Sequence, residues 1–127
     1  MDKNNPKSKK LDLASLTGTW RITEMETWDR DAFESDGPAL IRFEKNGQGE
    51  MNFIYVKVEL DWRWDETADH VAFTFAGFDE LTETSGRGWT KIQGNQMEGK
   101  IYFHMGDESG FKAEKGTKLL KSTRPAP

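Results

Sequence analysis

The sequence predicts an all-β domain: about eight short strands closed into an antiparallel up-and-down barrel, preceded by a short N-terminal helical turn. Three observations carry that prediction. Apolar residues recur at period two in one segment after another, as in Ile41 and Phe43, in Met51, Phe53 and Tyr55, and in Met97, Ile101 and Phe103. Turn dipeptides such as Asn46-Gly47, Gly94-Asn95 and Gly106-Asp107 punctuate these segments at nearly regular spacing. The stretches between strands leave little room for crossover helices, so consecutive strands pair as hairpins. Eight strands is the size at which such a sheet closes, and then either fills with side chains or holds one small ligand.

The elements follow in chain order. Leu11, Leu13 and Leu16 precede Thr17-Gly18, which reads as a helical turn stopped at the glycine. Residues 19–28 form a long strand in which Trp20, Ile22, Glu24, Glu26 and Trp28 share one parity and Arg21, Thr23, Met25 and Thr27 the other. Neither set is cleanly apolar. Either the inner face is partly polar, or a bulge swaps the faces near Met25. Residues 29–36 suit a turn of helix ended by Gly37-Pro38, and the hairpin 39–45 to 48–55 turns at Asn46-Gly47. The period then slips by one, so that Val56, Val58, Leu60, Trp62 and Trp64 alternate; a bulge, bend or turn belongs at 54–56. After a polar loop at 65–69, strands follow at 70–77, 83–92, 97–103 and 109–114. The barrel domain thus spans 11–114, between a disordered basic tail at 1–10 and a basic C-terminal tail at 115–127.

Composition narrows the functional classes. Five Trp, eight Phe and two Tyr supply a core for a single domain of 127 residues without covalent staples. The absence of cysteine excludes disulfides, thiolate nucleophiles and cysteine metal sites. The first ten residues lack the apolar core of a secretory signal, and no apolar run approaches the roughly 20 residues that cross a bilayer, so a cytoplasmic protein with no membrane partner is expected. The tails hold eight of the eighteen basic residues and one of the twenty-two acidic ones, which leaves residues 11–114 near −11. Such a body repels phosphate backbones, and no nucleic-acid partner is expected.

Residues 16–20, Leu-Thr-Gly-Thr-Trp, open the first strand after the apolar turn and resemble the G-x-W signature of lipocalin and calycin barrels. The resemblance implies that Trp20 plugs one end of the barrel and that a basic side chain packs across it. Lys112 is best placed for that role, with Arg87 the other option. The chain also resembles a family of small bacterial proteins of uncharacterised activity. That likeness covers roughly residues 16–113 and rests on Gly18-Thr19-Trp20-Arg21, on Ser85-Gly86-Arg87-Gly88-Trp89, and on the run from His104 to Phe111. The departures from the lipocalin and calycin barrels are the lack of cysteine, the short strands and the expectation of no signal peptide.

Four places carry candidate chemistry. His104, Asp107 and Ser109 meet around one hairpin: histidine is the natural proton shuttle near neutral pH, and Asp107 could orient it. The same residues also make an ordinary turn. Arg87 lies between two glycines and beside Trp89, which suits either a carboxylate clamp or a bent strand whose Arg stacks on Trp89 or Trp20. Trp62 and Trp64 offer an aromatic wall to a flat ligand, or plain core. Glu24 and Glu26 would face that interior as polar anchors or catalytic acids, or stand in solvent on a reversed face. With two histidines and no cysteine, no metal site or cofactor is expected.

The functional expectation is a binding protein for a small, partly apolar ligand inside the barrel, walled by Trp20, Trp62, Trp64 and Phe73, with Arg87, Trp89 and Glu26 as further ligand contacts. One alternative is a lipocalin-like enzyme of the isomerase or cyclase type that uses Glu24, His104 and Asp107. Another is a structural or protein-interaction module with a filled barrel. A homo-oligomer is compatible with each.

Overall fold

The computed structural model describes residues 12–116. Two short helices, α1 (Leu13–Leu16) and α2 (Arg30–Phe33), accompany eight strands: β1 (Gly18–Met25), β2 (Leu40–Phe43), β3 (Gln48–Phe53), β4 (Val56–Asp65), β5 (His70–Asp79), β6 (Thr82–Gln93), β7 (Gln96–Phe103) and β8 (Glu108–Lys115). Each strand pairs antiparallel with the next, and β8 returns to β1, so the sheet closes into an up-and-down barrel. Closure leaves no strand edge open for another chain to extend. Both basic tails lie largely outside the described residues, although β8 runs to Lys115 and the Gly116 N–H donates to the Thr19 carbonyl at 3.0 Å, slightly past the expected boundary.

The ambiguous first strand is resolved by a bulge. The pairing of β1 with β8 shifts register between Ile22 and Glu24. Trp20 and Ile22 point inward before the shift, Met25 after it, and Glu24 and Glu26 are exposed. The period slip at 54–56 is a two-residue turn, since Phe53 pairs with Val56 across Ile54 and Tyr55.

The interior is filled. Phe43, Phe53, Phe73, Phe75, Trp62 and Ile101 are each at most 8% exposed. Their rings meet edge to face, with Phe43 6.3 Å from Trp62 and 6.2 Å from Phe73, and Phe75 5.2 Å from Phe103. Room for so many rings comes from glycine on the facing strand. Phe73 stands opposite Gly88, Phe75 opposite Gly86, and Phe111 opposite Gly99. A Cβ at Gly88 would lie 2.6 Å from the Phe73 Cζ, and one at Gly86 2.5 Å from the Phe75 Cζ. The glycines of the Ser85–Trp89 segment therefore serve packing, as phenylalanine rings lying over glycine do in other sheets.

Both ends are stoppered. At the end where β1 begins, α1 lies under Trp20, whose Nε1 donates to the Leu16 carbonyl at 2.8 Å. The cation across Trp20 is Lys115, with Nζ 4.8 Å from the ring centroid, not Lys112 or Arg87. Strand parity explains the correction: Phe111 and Ala113 point inward, which sends Lys112 outward and leaves Lys115 at the barrel mouth, opposite Trp20 in the ladder. The Lys115 Nζ also donates to the Ser15 carbonyl at 2.6 Å. At the other end the β1–β2 connection folds over the mouth. Asp29 caps α2 by accepting from the Ala32 N–H at 3.0 Å, Phe33 is buried, and Trp28 packs 5.4 Å from Phe53.

Candidate binding surface

The barrel separates the residues expected to share one ligand. Trp62 is inside, 8% exposed, with its Nε1 donating to the Glu44 and Gln48 carbonyls at 2.9 and 3.1 Å, so it anchors the β2–β3 turn. Trp64 is half-buried and packs against the core. Arg87, Trp89 and Glu26 stand on the outer wall, because Gly86, Gly88 and Thr90 take the inward positions of β6 and the bulge turns Glu26 out. Arg87 lies over Tyr102, its cross-strand partner, at 4.6 Å, rather than over Trp89 or Trp20. Trp89 stacks on His70 instead, with centroids 5.4 Å apart and planes 18° apart. Glu26 accepts from the Gly110 N–H at 3.1 Å and, with Glu24, Glu98 and Lys112, borders a shallow groove of about 320 Å³ on the far side of Trp89.

The proton-transfer candidates are likewise apart. Glu24 is exposed on β1, while His104 and Asp107 are exposed in the β7–β8 turn, where the His104 N–H donates to the Ser85 carbonyl at 2.8 Å. Ser109 is fully buried; its hydroxyl accepts from the Thr27 N–H at 3.1 Å and donates to the Gly110 carbonyl at 2.8 Å. These bonds make Ser109 a strut between β8 and the end of β1. No group of three His, Asp or Glu side chains among the described residues is arranged to hold a metal ion.

What the outer wall does assemble is a trough along β5. Val71, Phe73 and Phe75 point inward, which leaves Ala72, Thr74 and Ala76 as a low outward floor. On the β4 side rise Lys57, Glu59, Asp61 and Arg63; on the β6 side rise Glu83, Ser85, Arg87 and Trp89. Two grooves of about 720 and 440 Å³ lie along this strip, the first over Ala76 and Phe78 and the second over Ala72 and Thr74. With a rise of about 3.3 Å per residue, the floor from His70 to Phe78 is about 26 Å long, and the walls, two strand spacings apart, stand about 10 Å from each other.

The trough opens onto hairpin tips that are unusually apolar. Tyr55, Phe78, Leu81 and Met105 are 42%, 50%, 96% and 94% exposed, and strand direction places all four at the end opposite Trp20. Two of the tips are tied together, the Glu80 N–H donating to the Tyr55 carbonyl at 3.0 Å, and the Ile54 N–H donates to the Phe33 carbonyl of α2 at 2.9 Å. Each tip also holds a non-glycine residue at positive φ: Ile54 at 54°, Glu80 at 57° and Met105 at 56°. For β-branched Ile54 this conformation is a true outlier.

Sequence reasoning missed the trough and the tips. The signal for the first was available as the small residues Ala72, Thr74 and Ala76 on one parity, opposite large apolar ones. The second required knowing which hairpins share an end. In comparisons with family models, with curated proteins and with solved structures, the chain matches none.

Proposed function

We propose that this protein is an interaction module: a filled barrel that holds a partner protein on its outer face, at the hairpin tips and the adjoining trough. The observation that carries the reading is the gathering of Tyr55, Phe78, Leu81 and Met105 at one end. Single exposed apolar side chains are ordinary, but several gathered on the hairpin tips at one end of a barrel suit an interaction site. The filled interior supports the same reading, since the aromatic side chains that would wall a ligand cavity pack on one another instead. Because the closed sheet offers no edge, recognition must run through side chains rather than through an added strand.

The test compares wild type with the double variant Leu81→Ser, Met105→Ser. Both should melt at the same temperature, because neither side chain is buried. A partner captured by wild type, purified, and rebound in isolation should lose its affinity for the double variant. Equal binding to both proteins would sink the proposal. So would a small molecule released on denaturing freshly purified protein, seen by native mass spectrometry, which would restore the ligand-carrier reading.

A further inference from the structure

The trough has a polarity that selects its occupant. Near the His70 end an arginine rises on each side of the floor, Arg63 level with Ala72 and Arg87, whose guanidinium lies over Tyr102 at 4.6 Å, level with Thr74. Among the described residues Arg87 makes no ion pair, and Arg63 has only Asp61, at 3.8 Å with both side chains well exposed. Toward Phe78 the sign reverses. Glu59 stands level with Ala76 and Glu83 level with Phe78; neither is in an ion pair among the described residues, while the one nearby cation, Lys57, is held by Asp36 at 2.9 Å. Asp61, level with Thr74, stands across the floor from Arg87 and lowers the net charge of the positive half without reversing it.

We propose that the trough binds an extended segment of the partner that carries an acidic residue, a basic residue four positions away, and an apolar residue beyond the basic one. This rests on the proposed interaction function and names the chemistry of the partner. The spacing follows from the walls. The midpoints of the positive and negative pairs are about four residues apart along β5, roughly 13 Å, which is the separation of i and i+4 side chains on one face of an extended chain. The position between them must be small, because it lies over Thr74 and Ala76 between tall walls. The apolar residue then reaches Phe78 and Leu81. A helix fits poorly, since its diameter with side chains, about 10–12 Å, exceeds the space between the walls.

The experiment is a titration of the full chain followed by amide chemical shifts. The probe is the synthetic peptide acetyl-Glu-Ser-Ala-Ser-Lys-Ser-Leu-Leu-amide, together with its sequence-reversed form, since the walls do not fix chain direction. One of the two should move amides along Ala72, Thr74 and Ala76. The peptide with Glu and Lys exchanged should bind about tenfold more weakly, as expected for two exposed ion pairs turned into like-charge contacts. Ala76→Trp, which fills the trough on an exposed position, should abolish the shifts while leaving the melting temperature in place. Acetate and inorganic phosphate serve as controls for a simple anion site. Equal binding of the charge-exchanged peptide, equal shifts from acetate or phosphate, or unchanged binding to Ala76→Trp would each overturn the proposal, as would the absence of shifts with either peptide. None of these results would touch the loss of partner binding in Leu81→Ser, Met105→Ser, so the two readings fail separately.

Discussion

At the end where β1 begins, Leu16, Trp20 and Lys115 seal the barrel, and the neighbouring turns use residues suited to positive φ: Gly47 at 90°, Gly94 at 65° and Asp69 at 58°. At the other end the same kind of hairpin is finished with Ile54, Glu80 and Met105 at positive φ, where glycine would be conformationally cheaper, and with Leu81 and Met105 almost fully exposed. One end follows the local preferences of the chain, and the other runs against them. Residues kept in unfavourable conformations beside exposed apolar groups point to work done with the side chains, since stability alone favours neither feature.

The largest expected effect tests the sealed end. Trp20→Ala should cost about 3–5 kcal/mol in denaturant unfolding, the range for a large aromatic removed from a core. A loss below about 1 kcal/mol would mean that α1 and Lys115 do not depend on the ring. Next comes a pair of opposite signs. Gly47→Ala should cost about 1–2 kcal/mol, because its φ of 90° disfavours any Cβ even though the nearest atom, the Trp62 carbonyl oxygen, is 3.5 Å away. Glu80→Gly should instead raise stability by about 0.5 kcal/mol, the relief of the left-handed residue less the added freedom of glycine in the unfolded chain. Two losses of similar size would erase the contrast between the ends.

A smaller effect sharpens the role of Lys115. Burial pushes its ammonium below the ordinary lysine value, and the nearby Asp12 carboxylate only partly opposes this. Between the lowered value and the ordinary one near ~10.4 the unfolded chain binds more protons than the folded one, so stability should rise with pH across that window. Below the window the cost of the buried charge is present in full. Lys115→Met should flatten the slope. A slope unchanged in that variant would assign it to other groups. The smallest effect belongs to the tips: Leu81→Ser and Met105→Ser should each fall within ~0.5 kcal/mol of wild type, and a larger loss would show that they pack on something in the folded chain.

The barrel was legible because its signals are local. Period-two runs and Asn46-Gly47 or Gly94-Asn95 turns report strands and hairpins without knowledge of what lies across the sheet. Lys115 was within reach as well, since it shares the parity of Phe111 and Ala113; preferring Lys112 overlooked that β8 runs on to the barrel mouth. Arg87 was a different problem. Its partner Tyr102 is set by the register between β6 and β7, which no window of sequence contains. The same holds for the roles of Gly86 and Gly88, which answer to Phe75 and Phe73 on another strand. Trp62, Trp64, Arg87, Trp89 and Glu26 could be read as one cluster only while inside and outside were undecided; the β1 bulge and the inward glycines of β6 then divided them.

Those glycine–phenylalanine pairs also constrain how this sequence can change. At Gly88 an added methyl meets both the Phe73 ring and the Lys100 carbonyl at 2.6 Å, and at Gly86 it meets the Tyr102 carbonyl oxygen at 2.1 Å. Removing Phe73 alone leaves a void where its ring lay over Gly88. Neither member is free to vary by itself, so the seam between β5 and β6 should drift only by paired steps that hold the combined volume constant. In a set of diverged relatives, positions 73 and 88, and likewise 75 and 86, would covary, while Ala72, Thr74 and Ala76 on the reverse side of the same strand stand outside that coupling.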